Sequence, residues 1–277
     1  DGYRTGNLFQ DCRLFQTCRK LEQRQEKRVL IPKAIKSVSL MIKGFIGTSL
    51  IDFPGKIASV VFFGGCNYRC PFCQNSWLVS ESKVSSLPTL EMNDIVSKIA
   101  ARSKMIDGVV FSGGEATLYP SLLTSLLLEI KRNEATKHLQ CKLDTNGSRP
   151  LILKELVNRK VLDYIAIDLK TSPEKYDRVS GVLHSIEAVR ESFKILSQSD
   201  IPSEIRTTFV PGLVDKEDLA EMIPFIREAK HYYIQSFRPK DTLDESYLSV
   251  TPYSPEALHD IAALIRSQVA TQVTVRI

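Results

Sequence analysis

Residues 60–75 read VVFFGGCNYRCPFCQN, and the rest of the chain is interpreted outward from them. The apolar run 60–63 predicts a buried strand, which two glycines follow. Cys66, Cys70 and Cys73 come next at CxxxCxxC spacing, on the loop that leaves the carboxyl end of this strand. Three thiolates can hold three irons of a 4Fe–4S cluster, a group that normally has four cysteine ligands. A metal site that lacks one protein ligand is built to bind a substrate there.

Two other interpretations of these cysteines stay open from the residues alone. A zinc site would need two further Cys or His residues at a matching spacing. The remaining cysteines are Cys12, Cys18 and Cys141, and the four histidines form no HxxxH or CxxH pattern. A disulfide is the other alternative, but no signal peptide indicates an oxidising compartment. The cluster is therefore the favoured interpretation.

The composition and charge of the chain restrict the class of protein. With 277 residues, 43% of them hydrophobic, the chain can bury one sizeable core. No apolar run approaches the roughly 20 residues that a membrane span requires, so we expect a soluble, cytoplasmic protein. Residues 1–40 carry nine Lys/Arg and four Asp/Glu, which accounts for the whole net charge of +5. Residues 41–277 then hold 28 of each sign, and this balance argues against nucleic-acid binding.

The first forty residues differ in character from the rest. Residues 21–28 (LEQRQEKR) form a charged run without an apolar face, and Pro32 would interrupt any helix that continued beyond it. We expect residues 1–40 to be a basic, poorly ordered N-terminal extension, with Cys12 and Cys18 incidental to function. A basic tail that contacts a partner is the functional alternative. Residues 41–277 are expected to form the functional domain.

From residue 41 onward, strands alternate with helices in the predicted secondary structure. Alternation of this kind indicates parallel βαβ units with right-handed crossovers. Six βα units beginning at residue 60 are too few for a closed barrel of eight, so we predict an incomplete (β/α)6 TIM-like barrel in the α/β class. A short strand and a turn at Pro54-Gly55 precede these units. The predicted strands are 57–63, 108–111, 140–143, 164–167, 204–209, 232–235 and 272–277, and the helices are 89–104, 120–133, 151–159, 185–197, 216–229 and 255–267.

Further candidate site residues follow the carboxyl ends of neighbouring strands, where parallel α/β folds carry their chemistry. Gly113, Gly114 and Glu115 follow the second predicted strand; the glycines would let the backbone approach a ligand, and the carboxylate could accept bonds from an ammonium group. Asp144 and Asp168 follow the next two strands, and such acids are costly to bury without a cation or donors. Taken singly, each of these segments is more often an ordinary turn or a helix cap.

Taken together, these segments resemble the radical S-adenosylmethionine (SAM) enzymes. The GGE segment resembles the motif that holds the SAM amino group in that family. Within the family, the chain most resembles the activating proteins of anaerobic ribonucleoside-triphosphate reductase, because GFIGTSLIDFPGK stands at residues 44–56 ahead of the cysteine loop. The resemblance covers about residues 41–277, and it implies the same incomplete barrel. No cysteine lies between Cys73 and Gly113, so one cluster is implied.

The resemblance also assigns roles residue by residue. It implies that Cys66, Cys70 and Cys73 hold the cluster and that Phe72 lies near the adenine. Asp144 and Thr145, with Asp168, would surround a monovalent cation together with the SAM carboxylate, since oxygen ligands suit a hard ion. Lys170 and Arg206 would balance the charges, and Arg206 lies in the family's Arg-x-x-x-x-Pro-Gly pattern. The SAM-binding residues implied are Phe72, Gly113, Gly114, Glu115, Asp144, Thr145, Asn146, Asp168, Lys170 and Arg206.

The implied activity is reductive cleavage of SAM to methionine and a 5′-deoxyadenosyl radical. In an activase this radical removes a hydrogen atom from a glycine of a partner, a glycyl-radical enzyme, here most simply the anaerobic ribonucleotide reductase. A flavodoxin or ferredoxin-type protein would supply the electron. Two alternatives stay open: a radical SAM enzyme for a small molecule or nucleoside, and a non-catalytic iron–sulfur or zinc-binding protein.

Overall fold

The computed structural model describes residues 41–277, and the sheet within them sets the positions of everything else. Eight strands lie side by side in the order in which they occur in the sequence. The first strand runs antiparallel to the second, and each later neighbour is parallel. The strands are β1 Ile42–Ser49, β2 Ala58–Phe63, β3 Gly108–Gly113, β4 Gln140–Thr145, β5 Tyr164–Asp168, β6 Ser203–Phe209, β7 His231–Ser236 and β8 Gln272–Arg276.

Helices connect the parallel strands and cover one face of the sheet. They are α1 Ser76–Val79, α2 Glu81–Ser86, α3 Met92–Ala100, α4 Pro120–Arg132, α5 Pro150–Asn158, α6 Pro173–Ser180, α7 Ser185–Ser197, α8 Leu219–Arg227 and α9 Pro255–Arg266. Within the described residues, three short 3-10 helices occupy Ala116–Leu118, Lys216–Asp218 and Glu245–Ser249.

Helix α4 illustrates why the sequence forms these elements where it does. Proline at its first position has no amide hydrogen to satisfy and a backbone angle already suited to a helix. The helix ends with Lys131 and Arg132, whose charges complement the helix dipole. Its buried residues recur every three to four positions and face the sheet. These buried residues are Leu123, Leu126, Leu127 and Ile130.

The sheet is open, as the sequence predicted. Six βα units run from β2 to α9, and β8 completes the parallel series. Within residues 41–277, β1 pairs with β2 and makes one isolated bridge from Ile42 to Leu90, and no pairing joins β1 to β8. The architecture is thus an α/β fold with an incomplete TIM-like barrel, which confirms the prediction.

Several local features differ from the predictions. Strand β1 is eight residues long and adds an antiparallel edge, where only a short strand was expected. Helices α1, α2 and α6 were not predicted, because four to eight residues are too few to establish a helical hydrophobic period. Helix α6 nevertheless carried two usable signals, Pro173 at its start and Gly181 in the left-handed conformation after its end.

Apolar side chains fill both faces of the sheet. The larger cluster lies between the strands and the helices. A smaller cluster, formed by Phe53, Ala58, Val60 and Val110 with the rings of Phe62 and Tyr164, belongs to the first parallel strands and the turn before β2. No helix within residues 41–277 has the length and hydrophobicity to cross a bilayer. The expectations for the extension 1–40, including Cys12 and Cys18, lie outside the described residues.

Candidate functional site

The cysteine loop begins directly after β2, and backbone hydrogen bonds fix it to two other segments of the chain. The Arg69 amide donates to the carbonyl of Ser180 at 2.7 Å, and the Asp244 amide donates to the carbonyl of Pro71 at 2.9 Å. These two contacts tie the loop to the end of α6 and to the segment after β7. Cys66, Cys70 and Cys73 all line one cavity of about 510 Å³, a size typical of small-molecule sites.

The chemistry of the three thiols suits a negatively charged iron–sulfur group. Burial raises the pKa of Cys66 to about 12 and that of Cys70 to about 11, and it also raises the pKa of Cys73. The thiols are therefore protonated until a metal group replaces their protons. The ammonium of Lys170 opposes the shift at Cys70 and Cys73, so a fixed positive charge lies beside two of the three sulfurs.

The spacing of possible ligands also bears on the kind of metal group. Among the described residues, no three His, Cys, Asp or Glu side chains converge as ligands of a single metal ion would. A 4Fe–4S cluster makes a different demand, because each cysteine binds a different iron. Three thiols around one cavity, with an adjacent lysine, fit that demand.

The glycines at the end of β3 have a packing role within the protein. A Cβ on Gly114 would lie 2.0 Å from the carbonyl oxygen of Gly65, and a Cβ on Gly113 would lie 2.3 Å from that of Phe63. Gly113 also has a φ of 126°, which side chains rarely allow. Both glycines line the cavity, and their small size also permits the close approach of two segments of the protein. The Glu115 amide completes this contact by donating to the Gly65 carbonyl at 2.8 Å.

Glu115 is a buried carboxylate that joins two strand ends. Its Oε1 accepts bonds from the amide and hydroxyl of Thr117 and from the hydroxyl of Thr145, and its Oε2 accepts from the amide of Asn146 at 2.8 Å. Burial raises its pKa, and these donors oppose the shift. Oε2 has one donor in the structure and so retains capacity for another, such as a ligand ammonium.

Asn146 connects the end of β4 to the cysteine loop. Its side-chain amide donates to the side-chain Oδ1 of Asn67 at 3.0 Å and lies 3.8 Å from the sulfur of Cys66. The amide of Asn67 in turn donates to the hydroxyl of Ser148 at 2.8 Å. Asn67 was not selected from the sequence, although its place next to Cys66 in the motif is a usable signal.

The two acids at the ends of β4 and β5 are neutralised by side-chain cations. Arg206 bridges them, with its Nη1 3.3 Å from Asp144 and its Nε 2.9 Å from Asp168. Lys170 lies 2.8 Å from Asp168. Burial alone would raise the pKa of both carboxyls, but Arg206 lowers it below the usual range together with one lysine at each acid, Lys142 at Asp144 and Lys170 at Asp168. Asp168 and Arg206 face each other in the register of β5 and β6, which is why the bridge forms.

A second layer of charge lies deeper in the sheet and was missed from the sequence. Glu204 is fully buried, and its two carboxylate oxygens accept bonds from Nη1 and Nη2 of Arg276, at 3.2 and 3.0 Å. It also accepts a bond from the hydroxyl of Tyr164 at 2.9 Å. Buried Lys142 contacts Asp144 at 2.7 Å. Polar residues at alternate positions of the strands, as at Lys142 and Asp144, were the signal for this layer, because alternate strand residues face the same side.

A second cavity, of about 600 Å³, continues from the first toward the unpaired edges of the sheet. Its lining includes Ile51 and Asp52 from the turn after β1 and Arg276 and Ile277 from β8 and the residue after it. The two cavities share the lining residues Ile51, Asp52, Gln74, Arg206, Thr208 and Gln235. The site is therefore continuous with the side of the fold that a closed barrel would seal.

The structure brings all thirteen residues selected from the sequence to the first cavity. Phe72 is 5% exposed and lines it beside the cysteines. By contrast, Cys141 lies fully buried in β4 and does not line it. The selected residues are Cys66, Cys70, Phe72, Cys73, Gly113, Gly114, Glu115, Asp144, Thr145, Asn146, Asp168, Lys170 and Arg206.

Comparison with known proteins gives consistent matches. The family model described as the radical SAM superfamily matches residues 60–225. A Methanocaldococcus jannaschii protein named as a glycyl-radical enzyme activating enzyme is 31% identical, over 83% of this chain and 93% of its own. The pyruvate formate-lyase-activating enzyme of Streptococcus mutans is 29% identical, over 70% of this chain and 75% of its own.

Solved structures agree on the fold. Coproporphyrinogen III oxidase from Escherichia coli, described as a radical SAM enzyme, superposes with a TM-score of 0.56 at 12% identity. The match covers 76% of this chain and 52% of that one, so this chain spans about half the length of that solved structure.

Proposed function

The chain belongs to the radical SAM superfamily, and we propose that it generates a glycyl radical on an anaerobic ribonucleotide reductase. It is an enzyme of the glycyl-radical activating kind, as its curated relatives are. The observation that carries the proposal is the continuity of the two cavities. The one lined by the motif cysteines opens into the one between the unpaired sheet edges, which gives a polypeptide loop a route to the chemistry.

The family implies a 4Fe–4S cluster and SAM, and the residues of the first cavity fit both. Cys66, Cys70 and Cys73 would hold the cluster. When bound, the cluster and SAM supply one electron and a 5′-deoxyadenosyl radical, which is the cofactors' own chemistry. The other selected residues of the cavity, from Phe72 to Arg206, would bind and orient SAM.

The chain's own groups would then fix the position and charge of the ligands. Glu115 Oε2 has capacity to accept a bond from the SAM amino group. Lys170 lies beside Cys70 and Cys73 and would balance the charge of the bound group. Arg206, 11% exposed, would offer its guanidinium to the SAM carboxylate. Burial of these groups excludes water, which strengthens each electrostatic contact.

We further propose that a monovalent cation joins Asp144, Thr145 and Asp168 when SAM is bound. Two carboxylates and a hydroxyl at neighbouring strand ends support this proposal, because hard cations prefer oxygen ligands. The ion would have to share the carboxylates with Arg206 and Lys170, which contact them in the structure.

The cation proposal is tested by SAM binding with and without potassium or sodium. We expect stimulation in the wild type and little in the Asp144→Asn/Asp168→Asn double variant, whose cluster content should stay normal. Equal binding in the wild type with and without the ions would contradict the cation.

The identity of the partner rests on residues 44–56, whose GFxGxSxxDFPGK pattern resembles the activating proteins of anaerobic ribonucleotide reductase. Since the motif provides for one cluster, an external carrier must deliver the electron. A flavodoxin or ferredoxin-type protein is the proposed donor.

The proposal is tested by mixing the reconstituted enzyme with the reductase, SAM and a reductant without oxygen. We expect a glycine-centred doublet in the electron paramagnetic resonance spectrum. Substituting alanine for the radical-bearing glycine of the partner should remove the doublet, while uncoupled SAM cleavage persists. Brisk SAM cleavage without a glycyl signal, with a small molecule consumed instead, would favour the small-molecule alternative.

A further inference from the structure

Lys142 is a buried lysine whose ammonium contacts two different parts of the site. It lies on β4 two residues before Asp144, so both side chains extend from the same face of the strand. Only 1% of its surface is exposed. Its Nζ lies 2.6 Å from the backbone carbonyl oxygen of Asp52 and 2.7 Å from Oδ1 of Asp144. The contact between Lys142 and Asp52 spans 90 positions of the sequence.

The Asp52 carbonyl belongs to the turn between β1 and β2, at residues 50–57. Ile51 and Asp52 in this turn line both cavities, although Ile51 is 83% exposed. Phe53 anchors the turn to the protein interior, because its side chain is 2% exposed and packs in the smaller apolar cluster. The Lys142 contact adds a hydrogen bond between this turn and β4, the strand that carries Asp144.

The same ammonium also supports the charge of Asp144. That carboxylate is 11% exposed, and its ion-pair partners in the structure are Lys142 and Arg206. Removing a cation from a buried ion pair leaves the remaining charge poorly compensated. Loss of the lysine charge would therefore disturb both the Asp144 carboxylate and the Asp52 turn.

We propose that Lys142 is a positioning residue that holds the Asp144 carboxylate and the turn at the mouth of the site in one arrangement. The inference rests on the proposed role of Asp144 in binding SAM, and it does not depend on which partner the enzyme activates. Lys142 acts through Asp144 and Asp52, and no step of the chemistry passes through it.

The test compares Lys142→Met with Lys131→Met. Lys131 is the control because its ammonium also contacts a carboxylate, Asp163 at 2.6 Å, and one backbone carbonyl, Leu139 at 3.1 Å, but neither of these partners lines either cavity, whereas Asp144 and Asp52 do. Each variant is reconstituted, its iron content is measured, and its SAM affinity is determined without reductant. Amide hydrogen exchange is followed in residues 50–57.

We expect Lys142→Met to keep its iron, to bind SAM at least tenfold more weakly, and to exchange faster in residues 50–57. Lys131→Met should lose stability and change neither SAM affinity nor exchange in that turn. If Lys142→Met leaves either the SAM affinity or the exchange rate at the wild-type value, the proposal is overturned.

A second variant keeps the test decisive if Lys142→Met does not fold. Lys142→Met/Asp144→Asn removes both members of the ion pair, and Glu204, 4.0 Å from the Lys142 ammonium, keeps its pair with Arg276. Its exchange in residues 50–57 should still be faster than in Asp144→Asn alone, because the tie to Asp52 is gone. Equal exchange in these two variants would overturn the proposal. None of these measurements uses a partner protein, so they stand apart from the outcome of the glycyl-radical experiment.

Discussion

At the scale of single residues, the site depends on buried groups whose partners come from distant parts of the chain. Cys66 is an example, because its sulfur lies 3.8 Å from the amide of Asn146, on another strand end. Glu115 is another, with donors from residues 117, 145 and 146. Substitutions here should have effects that depend on geometry and charge rather than on volume alone.

The cysteines give the first residue-scale prediction. Cys66→Ala, Cys70→Ala and Cys73→Ala should each abolish the brown 4Fe–4S cluster after anaerobic reconstitution, because the group has three protein ligands and loses one. The wild type should contain about four irons per chain. Cys141→Ala is the control and should keep the cluster, since Cys141 is buried in β4 away from the cavity. Stoichiometric zinc without visible absorption in the wild type would contradict the cluster.

Glu115→Gln tests how the carboxylate joins two strand ends. A carboxamide has one accepting oxygen, so its NH2 group must face either the Asn146 amide or the Thr117 amide, both of which are donors. We expect the free energy of unfolding to fall by about 2 kcal/mol, typical of losing a hydrogen bond to a charged group. Chemical denaturation measures it. Glu134→Gln, at an exposed ion pair, should change stability by less than about 0.5 kcal/mol, and equal effects of the two would contradict this account.

Motif spacing was sufficient to select these residues, but it did not supply the physical reasons. Gly113 and Gly114 were expected to let the backbone approach a ligand, and the structure adds a second reason for them, because their missing side chains admit the Phe63–Gly65 backbone. Lys142 and Glu204 were overlooked because a charged residue in a strand is ordinarily solvent-facing. These strand faces point into the barrel because the sheet is curved, and the sequence of a single strand does not reveal that curvature.

At the scale of elements, strand ends and loops position one another through close backbone contacts. The loop after β3 meets the cysteine loop at Gly65, and the segment after β7 meets it at Pro71. The strands were predictable because their apolar runs are short and bounded by turn residues. Helices α1 and α2 were not, since they are too short to show a helical period; α1 is held by a bond from the Gly65 amide to the Leu78 carbonyl and by packing of Trp77 on Phe62.

Gly114→Ala tests the approach of the two loops. The new Cβ would meet the Gly65 carbonyl oxygen at 2.0 Å, and backbone atoms cannot rotate away as a side chain can. We expect the iron content after reconstitution to fall strongly while far-ultraviolet circular dichroism stays close to that of the wild type. Gly55→Ala is the control for backbone strain without a clash, because its Cβ would meet no atom within 4 Å although its φ is 68°, and it should keep its iron. Full iron incorporation by Gly114→Ala would show that the contact is dispensable.

Asp215 makes the start of α8 sensitive to pH. Burial would raise the pKa of Asp215, but bonds from the Gly212 amide, the Tyr253 hydroxyl and Lys175 lower it. Because the folded-state pKa is lower than the unfolded value near 4, the charged carboxylate stabilises the fold at pH values above about 4. This stabilisation is lost as the pH falls toward the folded-state pKa. We expect Asp215→Asn to cost about 1 kcal/mol at pH 7, because bonds to a charged acceptor become bonds to a neutral one.

The pH dependence separates this effect from a general loss of packing. The difference in unfolding free energy between wild type and Asp215→Asn should narrow as the pH falls below about 4. Asp260→Asn, at an exposed position on α9, should show no comparable difference at either pH. A difference for Asp215→Asn that is constant with pH would contradict an electrostatic origin.

At the scale of the whole molecule, the open sheet connects the chemistry to the outside. A closed barrel would place β1 or β8 against a further strand, whereas here the second cavity lies between residues from these two edges. The alternation of strands and helices made the fold predictable, and the count of six βα units made its openness predictable. The continuity of two cavities could not be predicted, because it depends on how the turn after β1 and the end of β8 lie in space.

The central claim is that this enzyme takes a hydrogen atom from a glycine of a partner protein. The most direct test uses the anaerobic ribonucleotide reductase produced with α-deuterated glycine and follows the 5′-deoxyadenosine formed from SAM by mass spectrometry. We predict deuterium in the 5′-deoxyadenosine, and none when the radical-bearing glycine is replaced by alanine. Unlabelled 5′-deoxyadenosine from the labelled partner, under conditions where SAM is cleaved, would contradict the account.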